Sequence, residues 1–158
     1  MAGRNSSHDS SRAGVRQAHY AVIPLEMEGA LYDINRFGDA VGHAVDATGT
    51  MRAVLTAGGE MVDLGTLGGS AAAARGINGE GVIVGGSLTA GDATHHAFIY
   101  EHGAMRDLNA LISPELDCEL IYALGINDRG DVLAIGNFEG SDRVLLLKKE
   151  PNPTTDSS

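Results

Sequence analysis

Three segments of the chain repeat one pattern, Ile-Asn-x-x-Gly, and this repeat restricts the choice of fold more than any other feature. The segments read DINRFGDAVG, GINGEGVIVG and GINDRGDVLA, and they start at Asp33, Gly76 and Gly125. An apolar run begins 16 to 18 residues after each asparagine; the three runs are RAVLT, HAFIY and RVLLL. Regular spacing of short apolar runs and glycines predicts a domain of β-repeats.

Each copy of the pattern is predicted to form a tight hairpin turn between two strands. The asparagine side chain can bond the backbone of its own turn, and the glycine can adopt a left-handed conformation without a Cβ penalty. The residues in these structural positions are Asn35, Gly38, Asn78, Gly81, Asn127 and Gly130.

The repeat predicts an all-β fold with three pseudo-threefold units of about four short antiparallel strands each. We place the units at residues 29–70, 71–116 and 117–147, in a β-prism-like or propeller-like arrangement, with a β-trefoil as the alternative. The third unit lacks a fourth apolar strand, whereas a spare strand, HYAVIPL at residues 19–25, precedes the first unit. We therefore expect residues 19–25 to complete the last unit and close the ring.

Both ends of the chain are polar and without periodicity. Residues 1–18 are rich in Ser and Arg and are predicted to be disordered, and residues 148–158 are predicted to form a loose tail. Residues 19–147 are long enough for a single domain. Within them, the run AAAARG from Ala71 has helical propensity, but Gly76 and the repeat register favour a strand.

The domain is strongly acidic, which weighs against nucleic acid as a partner. The whole chain has a formal net charge of −10, and residues 20–147 contain 6 Lys and Arg against 18 Asp and Glu, a difference of −12. Such a surface repels phosphate backbones. No apolar run is long enough to cross a membrane, and the N-terminus lacks the apolar core of a secretory signal. We expect a protein or glycan partner and leave the oligomeric state open.

Histidine and aspartate are the candidate metal ligands, but their spacing does not favour a site. His95 and His96 are adjacent, so on a strand their side chains point to opposite faces. Asp63 and Asp107 lie near turns and are expected to cap backbone groups, and the aspartates form no calcium-loop pattern. The single cysteine, Cys118, excludes an internal disulfide. We therefore expect no bound metal and no cofactor, and calcium binding by the acidic domain is the alternative that stays open.

His96, Ala97 and Phe98 begin the segment HAFIYEHGAMRDL, which resembles the signature strand pair of the HAF repeat family. The segment DLGTLGGS from Asp63 precedes the Ile-Asn turn in the order that this family shows. The resemblance extends over residues 20–147. It implies a bacterial extracellular repeat protein, secreted or at the cell surface, with a cytoplasmic location as the alternative. It implies no activity, substrate or catalytic residue.

Enzyme motifs such as a nucleophile elbow, a zinc-binding His-Glu-x-x-His or a phosphate-binding loop do not occur in the sequence. The tripeptide Arg129-Gly130-Asp131 is one that adhesion receptors bind, but its place in the third repeat predicts an ordinary hairpin turn, with Arg129 and Asp131 at the surface. We expect a non-enzymatic, surface-exposed or secreted binding or structural module, which would make a good antigen. The alternatives are a lectin-like carbohydrate-binding domain and an intracellular acidic hydrolase.

Overall fold

The computed structural model describes residues 17–152 and is built almost entirely from antiparallel β-sheet. In this range eleven strands form three sheets, and helix is limited to two short 3-10 segments, Ala90–Asp92 and Leu108–Leu111. The prediction of an all-β fold is confirmed. The predicted disorder of residues 1–18 and the predicted loose tail fall mostly outside the described residues.

Every sheet is a meander, in which strands adjacent in sequence are paired. Sheet 1 consists of β1 (Gly29–Ile34), β2 (Ala40–Val45), β3 (Met51–Ala57) and β4 (Glu60–Asp63). Sheet 2 consists of β5 (Gly68–Ile77), β6 (Ile83–Thr89), β7 (His95–Glu101) and β8 (Ala104–Asp107). Sheet 3 consists of β9 (Cys118–Ile126), β10 (Val132–Phe138) and β11 (Ser141–Leu147). The Ala-rich run lies in β5, so the strand interpretation was right.

The sheets are stacked, with sheet 2 in the middle. A first hydrophobic core joins sheets 1 and 2 through residues such as Val41 and Phe98. A second core joins sheets 2 and 3 through residues such as Ala97 and Val132. Because Ala97 and Phe98 are consecutive on β7, alternate residues of sheet 2 supply the two cores, as the period of a strand requires.

Small residues allow the strands of a sheet to approach each other at irregular points of the ladder. The pairing of β1 with β2 shifts register near Leu31, and that of β5 with β6 shifts near Ala74. A Cβ at Gly42 or Gly85 would overlap the backbone of the opposite strand at these shifts. Glycine is therefore required at both positions by close backbone contact.

The strand expected at residues 19–25 is not formed in the single chain. Residues 17–27 have no regular secondary structure, and the side chains of Tyr20, Val22, Ile23 and Leu25 are exposed. The apolar pattern that predicted a strand is interrupted by Pro24, which cannot donate to a β-ladder. Sheet 3 consequently has three strands within the described residues, and none of the three sheets closes on itself.

Candidate binding site

The three Ile-Asn turns share one set of hydrogen bonds. The Oδ1 atoms of Asn35, Asn78 and Asn127 each accept the backbone N–H groups of the residues two and four positions later, at 2.9–3.0 Å. The glycine of every turn has a left-handed backbone, with φ between +81° and +92° (Gly38, Gly81 and Gly130). Asparagine and glycine therefore have separate roles: the asparagine side chain bonds the backbone, and the glycine adopts the left-handed conformation that the turn needs.

Side-chain amides also tie each turn to the next one. Asn35 Nδ2 donates to the carbonyl oxygen of Asn78 at 3.0 Å, and Asn78 Nδ2 donates to that of Asn127 at 3.1 Å. The backbone N–H of Gly79 donates to Asp128 Oδ1 at 2.7 Å. Because Asn78 is only 4% exposed, the two asparagine bonds are partly shielded from water, whereas the Gly79–Asp128 bond is exposed. The amide ladder fixes the same end of all three sheets in one arrangement.

The adhesion-type tripeptide is structural in this fold. Asp131 is 7% exposed, although we expected its side chain at the surface of a turn. Its carboxylate accepts the backbone N–H of Lys149 at 2.9 Å and Nζ of Lys148 at 3.1 Å, and also Nδ2 of Asn127. The Lys149 and Lys148 bonds are the main reasons that the pKa of Asp131 falls to about 2. A receptor would have to displace these partners to reach the carboxylate.

An arginine lies between two tyrosines where the first strands of the sheets meet. The guanidinium carbon of Arg75 on β5 is 4.4 Å from the ring centroid of Tyr32 on β1 and 5.9 Å from that of Tyr122 on β9. His43 Nδ1 lies 3.0 Å from the Tyr32 hydroxyl, and His95 stacks on Tyr122 with centroids 5.1 Å apart. We call these five residues the arginine row.

Neighbouring small residues make room for the arginine row. A Cβ at Gly86 on β6 would overlap the Tyr122 ring, so this tyrosine packs directly on the backbone of sheet 2. The alanines before Arg75 lie buried on β5, which places the arginine at the strand that contacts both other sheets. The row is therefore fixed by the packing of all three sheets.

The arginine row combines cationic and aromatic groups within an acidic molecule. Arg75 Nε and His95 Nδ1 are buried and have no hydrogen-bond partner among residues 17–152. A guanidinium carries five donors in a planar fork, which matches a carboxylate. A ligand that supplied carboxylate oxygens would pair with the guanidinium of Arg75, whose Nε has no hydrogen-bond partner among the described residues. The row is the best candidate for a binding site in the described part of the chain.

His96, the first residue of the HAF motif, is held by two carboxylates and lies outside the arginine row. Its Nδ1 is 2.6 Å from Asp107 Oδ2, and its Nε2 is 3.1 Å from Glu119 Oε2. Burial lowers the pKa of His96, but hydrogen bonds and charge from Asp107 and Glu119 outweigh burial and raise it overall. Because both ring nitrogens are engaged, neither is free to act as a general base.

The remaining predicted positions have structural contacts. Ala97 and Phe98 are fully buried, one in each core. Asp63 Oδ1 accepts the backbone N–H of Gly65, and Asp107 Oδ1 accepts that of Asn109, so both cap the ends of strands as expected. No group of three or more His, Cys, Asp or Glu suited to a metal ion occurs between residues 17 and 152.

Sequence reasoning did not find the arginine row. One signal was present, because Tyr32 and Arg75 each stand three residues before the asparagine of their turn. That position carries Leu124 in the third unit, and Tyr122 takes part from two residues earlier. The row therefore does not follow the repeat, and its members come together only when the sheets pack.

Comparisons with family models, with curated proteins and with solved structures found no match for this chain. Among the described residues, no helix is long and apolar enough to cross a membrane.

Proposed function

We propose that this protein is a non-enzymatic HAF-type repeat module that binds a carboxylate-bearing partner through the arginine row. The observation that supports this most is the position of Arg75, whose guanidinium lies between the Tyr32 and Tyr122 rings with a buried, unpaired Nε. An arginine held in this way loses little side-chain freedom on binding, which favours affinity for a planar anion.

The same proposal treats the three sheets as blade-like units of a propeller-like stack. Support comes from the amide ladder, which joins the three Ile-Asn turns in chain order. The ladder makes one end of the stack rigid, and rigid turns suit both partner binding and recognition by antibodies. Acid–base chemistry finds less support, since the histidine with two carboxylate partners has no free ring nitrogen.

Arrays of acidic and neutral peptides and glycans, probed with the tagged full chain, test the binding proposal. We expect carboxylate-bearing probes to bind and Arg75→Gln to lose that binding at least tenfold. Arg75→Lys should lose most of it as well, because lysine keeps the charge but lacks the planar fork. Arg36→Gln is the matched control, since Arg36 also lies over an aromatic ring, Phe37 at 4.8 Å, but at an exposed turn.

The outcomes separate the alternatives. Equal binding by the Arg75 and Arg36 variants would contradict a role for the arginine row, provided that both variants melt as cooperatively as the wild type. Binding of glycans without acidic peptides would favour the lectin-like function. Turnover of any ester, glycoside or peptide probe would contradict the non-enzymatic proposal.

The HAF resemblance also supports a location outside the cell, as a secreted or cell-surface module. Protease treatment of intact native cells tests this location. Loss of the intact protein from treated cells, with protection of a cytoplasmic marker, would support display at the surface. Recovery of the full-length protein only after lysis would contradict it.

A further inference from the structure

Within residues 17–152, the two end sheets of the stack each have one face without a neighbouring sheet, and both faces expose aliphatic side chains, although that of sheet 1 also carries the Arg52–Asp63 ion pair. Sheet 3 exposes aliphatic side chains on its outer side, including Leu133, Leu146 and Val144, of which Val144 is 74% exposed. Sheet 1 exposes Met61 and Ile34 on its outer side, and Ile34 is 63% exposed. Uncovered aliphatic faces of this kind mark interaction surfaces.

The uncovered face of sheet 3 corresponds, by position in the repeat, to one covered face of sheet 1 and one covered face of sheet 2. Val41, Val84 and Leu133 each stand six residues after the asparagine of their turn. Val41 packs in the first core and Val84 packs in the second core, each against the next sheet of the stack. Leu133 has no next sheet to pack against in the part of the chain that the structure describes, and it is exposed.

The uncovered face of sheet 1 corresponds, by position in the repeat, to the faces of sheets 2 and 3 that pack against the sheet before them. Ile34, Ile77 and Ile126 each stand one residue before the asparagine of their turn. Ile77 is buried in the first core and Ile126 packs against the second, each facing the sheet before it. Ile34 faces no preceding sheet within residues 17–152. The outer face of sheet 3 corresponds to the faces that pack onto a following sheet, and the outer face of sheet 1 corresponds to the faces that receive a preceding sheet. The two outer faces are therefore of complementary kinds.

The exposed segment before β1 has the spacing of an outermost strand. Leu25 precedes Gly29 by four residues, and Leu64, directly after β4, precedes Gly68 at the start of β5 by the same number. Leu64 is buried between sheets 1 and 2, whereas Leu25 is 58% exposed. Counted from the asparagine of each turn, the two leucines differ by four residues, because β5 begins earlier than β1, and Leu108 stands ten residues before β9. Residues 19–25 therefore match β4 in lying just before the first strand of a sheet, which is the place of the outermost strand of the sheet before it.

Pro24 is compatible with that place. Leu64 N donates inward to the Ala53 carbonyl at 2.9 Å, so the N–H of the residue before it, Asp63, points away from β3. If Leu25 takes the place of Leu64, Pro24 takes that of Asp63, where a missing N–H removes no ladder bond. Pro24 is therefore incompatible with a central strand but compatible with the outermost strand of a sheet.

Sheet 3 also has an open space where a fourth strand would lie. A groove of about 1030 Å³ runs beside β11, lined on the sheet 3 side by residues such as Leu145 and Leu147. Leu111, Ile112 and Leu116, from the segment between sheets 2 and 3, line its other side. In sheets 1 and 2 the corresponding edge is covered by β4 and β8.

From these observations we propose that a second copy of this chain binds head to tail, its sheet 1 against the outer face of sheet 3. Residues 19–25 of the second copy then add to the free edge of β11 as a fourth strand. Leu25 occupies the new junction as Leu64 and Leu108 occupy the two junctions within the chain. This assembly does not depend on what the arginine row binds.

Two copies close the assembly. A head-to-tail contact either forms a ring or continues as a filament. Closed propellers have about 4–8 blades, and a chain of three sheets reaches that range only as six sheets, which is two copies. The two contacts of such a dimer are identical, so no uncovered face or unpaired β11 edge remains.

Light scattering after size-exclusion chromatography of the full chain tests the proposal. We expect a mass twice the 16.3 kDa of the chain. Val144→Lys on the outer face and Leu25→Lys in the arm should each halve that mass, because either places a charge in the junction. Val62→Lys is the matched control and should remain a dimer, since Arg106 occupies the corresponding place in sheet 2.

Circular dichroism of each variant shows whether the β-structure is retained, and the two lysine variants are independent of each other. A wild-type chain that is monomeric at every concentration would overturn the proposal, and so would folded Val144→Lys and Leu25→Lys variants that remain dimeric. A mass larger than a dimer would overturn closure by two copies. Protection of β11 amides from hydrogen exchange in the wild type, lost in Leu25→Lys, would support the strand addition.

Discussion

Sheets 2 and 3 contain similar hairpins, but they differ in how many of their faces are covered. Sheet 2 packs on sheet 1 with one face and on sheet 3 with the other, and β6 is buried from Ile83 to Ser87. Sheet 3 is covered on one face, and β11 is exposed over most of its length. The strand with two covered faces has small and aliphatic residues throughout, whereas β11 places Arg143 and Val144 in water. Coverage by neighbouring sheets explains this difference.

We expect the largest difference in stability when one phenylalanine in each of the two sheets is replaced by alanine. Phe98 in sheet 2 is fully buried in the first core, and Phe138 in sheet 3 is partly exposed. We expect Phe98→Ala to lower the free energy of unfolding by about 3–5 kcal/mol. Phe138→Ala should cost roughly half as much, because part of its side chain already contacts water. Urea denaturation measures both, and equal losses would contradict the difference in packing.

The amide ladder provides the second contrast. Asn78→Ala removes the acceptor of two backbone N–H groups and the donor to the Asn127 carbonyl. Since an unsatisfied buried group costs about 1–3 kcal/mol, we expect a loss of about 2 kcal/mol or more. Asn78→Ser keeps a hydroxyl that can accept the turn's N–H groups more weakly and loses the donor to the Asn127 carbonyl, so it should be less destabilised than the alanine variant. An alanine variant as stable as the serine variant would show that the turn's own bonds contribute little.

Glycine substitutions give a smaller contrast between the same two sheets. Alanine at Gly86 in sheet 2 would overlap the Tyr122 ring, and overpacking of this kind costs about 1–3 kcal/mol. A Cβ at Gly125 in sheet 3 meets nothing within 4 Å, so Gly125→Ala should be neutral or slightly stabilising. Thermal melts measure both effects. Gly86→Ala should also displace Tyr122 and weaken binding by the arginine row.

The sequence predicted the parts of this molecule that depend on local geometry. Turns that need Asn and Gly, and strands that alternate with them, follow from neighbouring residues, so the all-β class was predictable. The burial of Asp131 was missed because Lys148 and Lys149, which hold its carboxylate, belong to a segment whose composition predicted a loose tail. The bonds of this segment to the Asp131 carboxylate hold it in place although its composition is typical of a loose tail.

The missed features depend on contacts between sheets. Arg75, Tyr32 and Tyr122 lie on three different strands, and nothing in their spacing specifies that the three sheets pack at those residues. The strand expected at residues 19–25 also depends on a partner. Its apolar pattern is interrupted by Pro24, and in the single chain it pairs with no other strand.

Two charged pairs in corresponding places give the smallest and most specific test. Arg52 Nε is 3.0 Å from Asp63 Oδ2 in sheet 1, and His96 takes the place of the arginine beside Asp107 in sheet 2. The pKa of His96 is raised above its ordinary 6.5, because its carboxylate partners outweigh burial. Protonated His96 therefore stabilises the fold fully below about pH 6.5, and this contribution disappears as the pH rises through the folded pKa.

We accordingly expect the stability difference between wild type and His96→Gln to shrink by up to about 1 kcal/mol as the pH rises past neutrality. The difference between wild type and Arg52→Gln should stay constant over that interval, because arginine remains charged. Urea titrations at several pH values measure both differences. A His96→Gln difference that stays constant or grows with pH would show that the imidazole is neutral in the folded protein, and that Asp107 and Glu119 hold it by ordinary hydrogen bonds.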